Sequence, residues 1–129
     1  MPAAAALKVF LVDDQVSMRV LIRQALQAIG IRHIREQSSA EAALPELQAE
    51  RANLILSDHN MKGMSGLDFL SAIRADPNLA KTPFIMLTGA ADREVVTKAI
   101  ALGVNNYIVK PFTTAVLKQK IEQCFGSLT

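Results

Sequence analysis

The sequence is poor in aromatic side chains, holds a single cysteine and has no tryptophan. Each shortage excludes something. One Tyr and five Phe among 129 residues leave the core to Leu, Ile, Val, Ala and Met. The lone Cys124 cannot close an internal disulfide, which points to a reducing compartment and a cytoplasmic location. No apolar run nears the roughly 18 residues that a membrane span needs, so membrane insertion is not expected. Residues 1–7 lack the basic region of a secretory signal. An excess of one charge is missing too. The 14 Lys+Arg against 12 Asp+Glu leave a net +2, too little to argue for direct contact with nucleic acid. What is present is a folding composition, half hydrophobic and a fifth charged. The length suits one compact domain over residues 1–129, with its core read over about 8–125.

Two patterns alternate along the chain. The first is a short unbroken apolar run: Val9-Phe10-Leu11-Val12, Leu54-Ile55-Leu56, Phe84-Ile85-Met86-Leu87 and Tyr107-Ile108-Val109, with residues 34–37 a weaker case. Such runs suit strands buried on both faces of a parallel sheet. The second pattern has helical period. Met18, Leu21, Ile22, Ala25, Leu26 and Ile29 form one apolar stripe, with Gly30 placed to end that helix. Residues 40–49 read as a second helix that Pro45 weakens or kinks. Leu67, Phe69, Leu70 and Ile73 mark a third helix, stopped before Asp76-Pro77. Val95, Val96, Ala99, Ile100 and Leu102 mark a fourth, with Asp92 as N-cap and Gly103 as its stop. Val116, Leu117, Ile121, Cys124 and Phe125 mark the fifth.

Strand–helix alternation five times over predicts an α/β fold: a doubly wound, five-stranded parallel sheet with five helices. The order common at this size is 2-1-3-4-5, the flavodoxin-like arrangement. In such sheets the ligand site lies at the carboxyl ends of the strands. Asp13 and Asp14 follow the first run there, Ser57 and Asp58 the third, Thr88 and Gly89 the fourth, and Lys110 and Pro111 the fifth. Two carboxylates ~4 Å apart repel by about 4 kcal/mol at an intermediate dielectric, so three in one crevice call for a cation. Oxygen ligands without a Cys or paired-His set suit Mg²⁺ (or Mn²⁺) and not zinc. A hard cation beside a carboxylate, with an ammonium group and a hydroxyl at hand, is equipment for phosphoryl transfer.

With these parts in this order, the chain resembles the receiver (CheY-like) domain of bacterial two-component response regulators. The acidic pair Asp13-Asp14 matches, as do the stretch from Asp58 through Asn60, Met61 and Met64 to Gly66, the pair Thr88-Gly89, and Tyr107-Ile108-Val109-Lys110-Pro111-Phe112. The likeness runs from Lys8 to about Phe125. It implies that Asp58 accepts a phosphoryl group from a histidine kinase or a histidine phosphotransfer protein. It implies Mg²⁺ held by Asp13, Asp14, Asp58 and the backbone carbonyl of Asn60, with Thr88 and Lys110 on the phosphoryl oxygens. It further implies a cis Lys110–Pro111 bond, a Thr88/Tyr107 switch pair, and a downstream target protein met by the face of the fourth helix, fifth strand and fifth helix. Lys62 stands where the family has Pro, and Ser65 where it has Asp. The first should loosen the loop after Asp58 and adds a positive charge near the acidic pocket. Ala90 and Asn60 occupy the positions that tune dephosphorylation, and Ala90 argues against a fast rate.

Other residues are read more plainly: His59 as an exposed loop residue, Cys124, Met61 and Met64 as packing, and Lys118 and Lys120 as either a solvated face or a contact for an acidic partner. The expected protein is a monomeric receiver, a phosphoacceptor and not an enzyme with a separate substrate. A phosphate shuttle or sink, or a receiver cut from a longer regulator, is the alternative. A haloacid-dehalogenase-type phosphatase needs Asp-x-Asp after the first strand, and Gln15 stands at its third position. A flavin or nucleotide module needs backbone amides facing phosphate at that point, where two carboxylates stand instead. A receiver fold used without phosphorylation is opposed by the complete residue set.

Overall fold

The structure, a computed structural model, describes residues 3–89 and 92–129. After a 3₁₀ turn at Ala4–Ala6, strands and helices alternate: β1 (Lys8–Val12), α1 (Val16–Ile29), β2 (His33–Gln37), α2 (Ala40–Ala49), β3 (Leu54–Asp58), α3 (Gly66–Ala75), β4 (Phe84–Thr88), α4 (Arg93–Ala101), β5 (Asn106–Val109) and α5 (Thr114–Phe125). The five strands form one parallel sheet in the order β2-β1-β3-β4-β5, as the alternation predicted.

The apolar runs of β1, β3 and β4 are buried on both faces because successive side chains point to opposite sides. In β5, at the edge of the sheet, only Ile108 is buried, with Tyr107 half-buried and Val109 exposed, against the expectation for that run. Val9, Leu11, Leu54, Leu56, Ile85 and Leu87 pack with α1 and α5. Phe10, Val12, Ile55, Phe84 and Met86 pack with α2, α3 and α4. The first cluster also takes in Ala4 and Leu7, with Leu128 against it, so packed residues extend a little beyond the expected 8–125. Cys124 sits at the margin of that cluster, and burial raises its thiol pKa.

Local signals set the element ends. Gly30 closes α1 in the left-handed region at φ 104°, where an L side chain would be strained. Asp92 caps α4 by accepting from the Val95 N–H, and Ser39, Ser65 and Thr113 do the same for α2, α3 and α5. Helix α2 runs through Pro45 from Ala40 to Ala49.

Some expectations shift. Ser57, Asp58 and Thr88 are the last residues of their strands and do not follow them, and β2 begins one residue earlier, at His33. Leu21, Ile100 and Val116, placed on apolar stripes, are exposed. Each lies at the margin of its stripe, and one residue turns a helix by about 100°. Ala90, invoked for the dephosphorylation rate, lies outside the described residues.

Candidate functional site

Strand register brings the carboxyl ends of all five strands level. Val12 pairs with Gln37 and Ser57, Asp58 with Leu87, and Thr88 with Val109. Asp13, Asp14, Asp58, Thr88 and Lys110 therefore stand along one edge.

Asp13 and Asp58 are buried and Asp14 is half-buried, and carboxylate oxygens of the three lie within 4.8 Å of one another. Lys110 answers part of this charge: its Nζ is 2.9 Å from Asp58 Oδ1 and 3.6 Å from Asp13 Oδ2. Asp13 Oδ1 accepts from the Gln15 N–H at 2.9 Å. Asp13 Oδ2 is enclosed and has no hydrogen-bond partner among the described residues. Burial is the main reason that the Asp13 pKa is raised; Asp58 and Asp14 push the same way, while the Gln15 N–H and Lys110 oppose. A buried oxygen without a donor, between two further carboxylates, fits a hard cation.

Two residues that the sequence reading passed over position these groups. Arg19, in the first turn of α1, donates from Nη1 to the Asp13 carbonyl at 2.6 Å and from Nε to Glu36 Oε1 at 3.1 Å. Arg23 joins it on Glu36. Glu41 in α2 accepts from the Met64 N–H at 2.8 Å and closes around Gly63, which has a φ of 76°. Neither arises from a local motif, since their partners are six and 23 residues away.

The loop between β3 and α3 is tied at several points. The Lys62 N–H donates to Asp14 Oδ2 at 3.2 Å, a bond that proline at this position would not make. The Lys62 side chain is in no ion pair among the described residues, so it acts on the pocket through its backbone. Ser65, the second departure, caps α3 by accepting from Asp68. His59 is half-buried, not exposed. Its N–H donates to Leu87 O, its carbonyl accepts from the Gly66 N–H, and its Nδ1 is enclosed without a hydrogen-bond partner among the described residues. Gly66 permits that approach, because a Cβ there would lie 2.5 Å from Asp58 O and 2.7 Å from His59 Cα. Asn60 lies exposed, two residues past Asp58. Met61 and Met64 pack against the second core cluster.

Thr88 is buried at the end of β4, and its carbonyl accepts from the Lys110 N–H at 2.9 Å. The Lys110–Pro111 peptide bond is cis. Tyr107 stands apart from the acidic cluster. It pairs with Met86, two residues back from the site edge, and is half-buried. Lys120 Nζ sits 5.3 Å from its ring centroid. Tyr107 also borders a groove of about 320 Å³ with Gly89, Asp92, Val96 and Val109.

Comparison with known proteins agrees with this arrangement. The family model for the response regulator receiver domain matches residues 9–122. The "Probable chemotaxis protein CheY" of Rhizobium etli is 41% identical over 128 residues, which is 99% of each chain. The "Chemotaxis protein CheY" of Pseudomonas aeruginosa is 41% identical over 119 residues, 92% of this chain and 96% of its own. Among solved structures, CheY4 of Vibrio cholerae superposes with a TM-score of 0.83 at 31% identity, covering 95% of this chain and 98% of that one.

Proposed function

The chain belongs to the response regulator receiver family, and from that premise we propose that it is a phosphorylation-driven switch with Asp58 as its phosphoacceptor. The observation that carries this is the buried Asp58 carboxylate, paired with Lys110 and set among two further carboxylates. A carboxylate oxygen of Asp58 attacks the phosphorus of a phosphohistidine on a kinase or phosphotransfer protein. The O–P bond forms as the P–N bond breaks, and the imidazole leaves with the electron pair. The Lys110 ammonium then moves from a carboxylate oxygen to a phosphoryl oxygen, and the Thr88 hydroxyl bonds another.

Asp13, Asp14, Asp58 and the Asn60 carbonyl are the residues that would hold Mg²⁺ or Mn²⁺, which when bound neutralises charge on the transferring group. Water later hydrolyses the acyl phosphate and restores the carboxylate. The protein thus turns over no substrate apart from its own phosphoryl group.

On this reading Thr88 shifts toward the phosphoryl group, Tyr107 swings inward, and the α4–β5–α5 face changes its affinity for a target protein. The groove beside Tyr107 supports that choice of face. CheY-like receivers meet kinases and downstream targets in general, and the names of the relatives point to chemotaxis-type signalling. A monomer built as one receiver domain and working in the cytoplasm completes the picture. No helix among the described residues is long and apolar enough to cross a membrane.

The test is incubation with a small phosphodonor and Mg²⁺, read as a one-phosphoryl mass gain, for the wild type and Asp58→Ala. Labelling of the wild type alone is expected, and equal labelling of both sinks the proposal. A shuttle or sink would use the same step, and fast return of the phosphoryl group to a histidine donor marks it.

A further inference from the structure

At the amino ends of the strands, opposite the acidic site, the molecule carries a row of cations in sheet order. Arg32 precedes β2, Lys8 opens β1, Arg51 precedes β3 and Lys81 precedes β4. All four are exposed. None takes part in an ion pair among the described residues. Two grooves meet at Lys8. One, of about 490 Å³, is bordered by Arg51, Asn53, Asn78 and Lys81. The other, of about 270 Å³, is bordered by Arg32, His33 and Arg35. The acids nearby are already engaged: Glu50 pairs with Arg35, and Asp76 accepts from Gln48 and from the Asn78 N–H.

We infer that this row is a docking ledge for an extended acidic segment of a partner protein. Four adjacent strands at ~4.8 Å spacing give a row about 14 Å long, the span of roughly four extended residues. Four cations along a line suit a run of carboxylates better than one point anion. Among its lining residues the ledge has no Phe, Tyr or Trp, and the single ring at one end, His33, is too little for a row of stacked bases. It also lacks the apolar fringe of a membrane-seeking surface, since the exposed large hydrophobics Val16, Val20, Leu21, Ile100, Val109 and Val116 all lie elsewhere. Five-residue strands separate the ledge from Asp58 by roughly 16 Å, so it is open whatever the state of Asp58. It would serve as a constant tether, distinct from a switched contact.

The test titrates the whole chain with a short poly-glutamate peptide, followed by amide NMR. Shifts are expected at Lys8, Arg51, Lys81 and their neighbours, in wild type and Asp58→Ala alike. The Arg51→Glu/Lys81→Glu variant should bind roughly tenfold more weakly or worse. Arg51→Gln/Lys81→Gln should also lose several-fold, whereas Gln24→Glu/Gln27→Glu, the same change of net charge placed on exposed positions of α1, should stay within about twofold of wild type. The amide spectrum of each variant reports its folding, and Lys81→Gln supplies a milder substitution with a smaller expected loss. Shifts centred away from the ledge, an equal loss in the control pair, or tighter binding of single-stranded DNA or anionic vesicles to the ledge would overturn the inference.

Discussion

Lys110 Nζ lies 2.9 Å from Asp58 Oδ1, and both groups come from the carboxyl ends of strands that are not neighbours, β5 and β3, with β4 between them. The cation brings two buried acids into one site, since Asp13 Oδ2 is 3.6 Å away. Replacing it leaves three carboxylates with no cationic partner among them. Lys110→Met is expected to slow phosphorylation by about 100-fold, the usual loss when one donor to a transition-state oxygen is removed. It should also make Mg²⁺ more stabilising in urea unfolding than it is for wild type. An unchanged phosphorylation rate would count against the role given to Lys110.

Asp13 supplies a pH test. Its pKa is raised from 3.8, chiefly by burial. The folded protein therefore holds this proton more tightly than the unfolded chain does. The resulting stability is fully present below pH 3.8 and is lost as pH rises through the folded value; above it the ionised group is a constant cost. Asp13→Asn, without divalent cations, is expected to be more stable than wild type at neutral pH. The gap should narrow as pH falls toward 3.8, read from urea midpoints. The same variant should lose most of its stabilisation by Mg²⁺.

Gly66 tests the close packing behind the acceptor. A methyl group there would meet Asp58 O at 2.5 Å and Met86 Sδ at 2.6 Å. The sulfur can move and the backbone cannot. Gly66→Ala should cost about 1–3 kcal/mol in urea unfolding, the usual scale of overpacking, and should slow phosphorylation by moving the Asp58 carbonyl.

Tyr107 is the chain's one tyrosine and there is no tryptophan, so intrinsic fluorescence reports on this side chain. Addition of a small phosphodonor with Mg²⁺ is expected to change its emission in wild type and not in Asp58→Ala. The Lys120 ammonium over the ring should hold the unphosphorylated position by about 0.5–1 kcal/mol. Lys120→Met should therefore shift the resting emission toward the phosphorylated value. No emission change in wild type would remove Tyr107 from the switch.

Arg19 tests positioning. Arg19→Met removes the donor to the Asp13 carbonyl and one partner of Glu36. A several-fold loss in Mg²⁺ affinity is expected by titration, with the fold retained because Arg23 still pairs with Glu36. An unchanged affinity would show that the Asp13 backbone needs no such support.

The order of elements, the parallel sheet and the set Asp13, Asp14, Asp58, Thr88 and Lys110 were readable in the sequence. Their signals are local: an apolar run of strand length, a helical period, and a polar residue where the run stops. Even the ledge of cations has a sequence trace, one basic residue just before or at the start of each of four strands. What local signals cannot carry is the angle at which an element meets its neighbours, or which distant atoms then touch. Leu21 fits the α1 stripe by period and is exposed, because the sheet meets the helix about a quarter turn away. His59 reads as a loop residue and is half-buried, because α3 begins against β3 with Gly66 in between. Arg19 on the Asp13 carbonyl, Glu41 around Gly63, and the enclosure of Asp13 Oδ2 without a hydrogen bond among the described residues were decided by tertiary structure alone. They depend on the order in which the strands lie side by side and on side chains packing to a common depth. These are properties of the assembled sheet and not of any one segment.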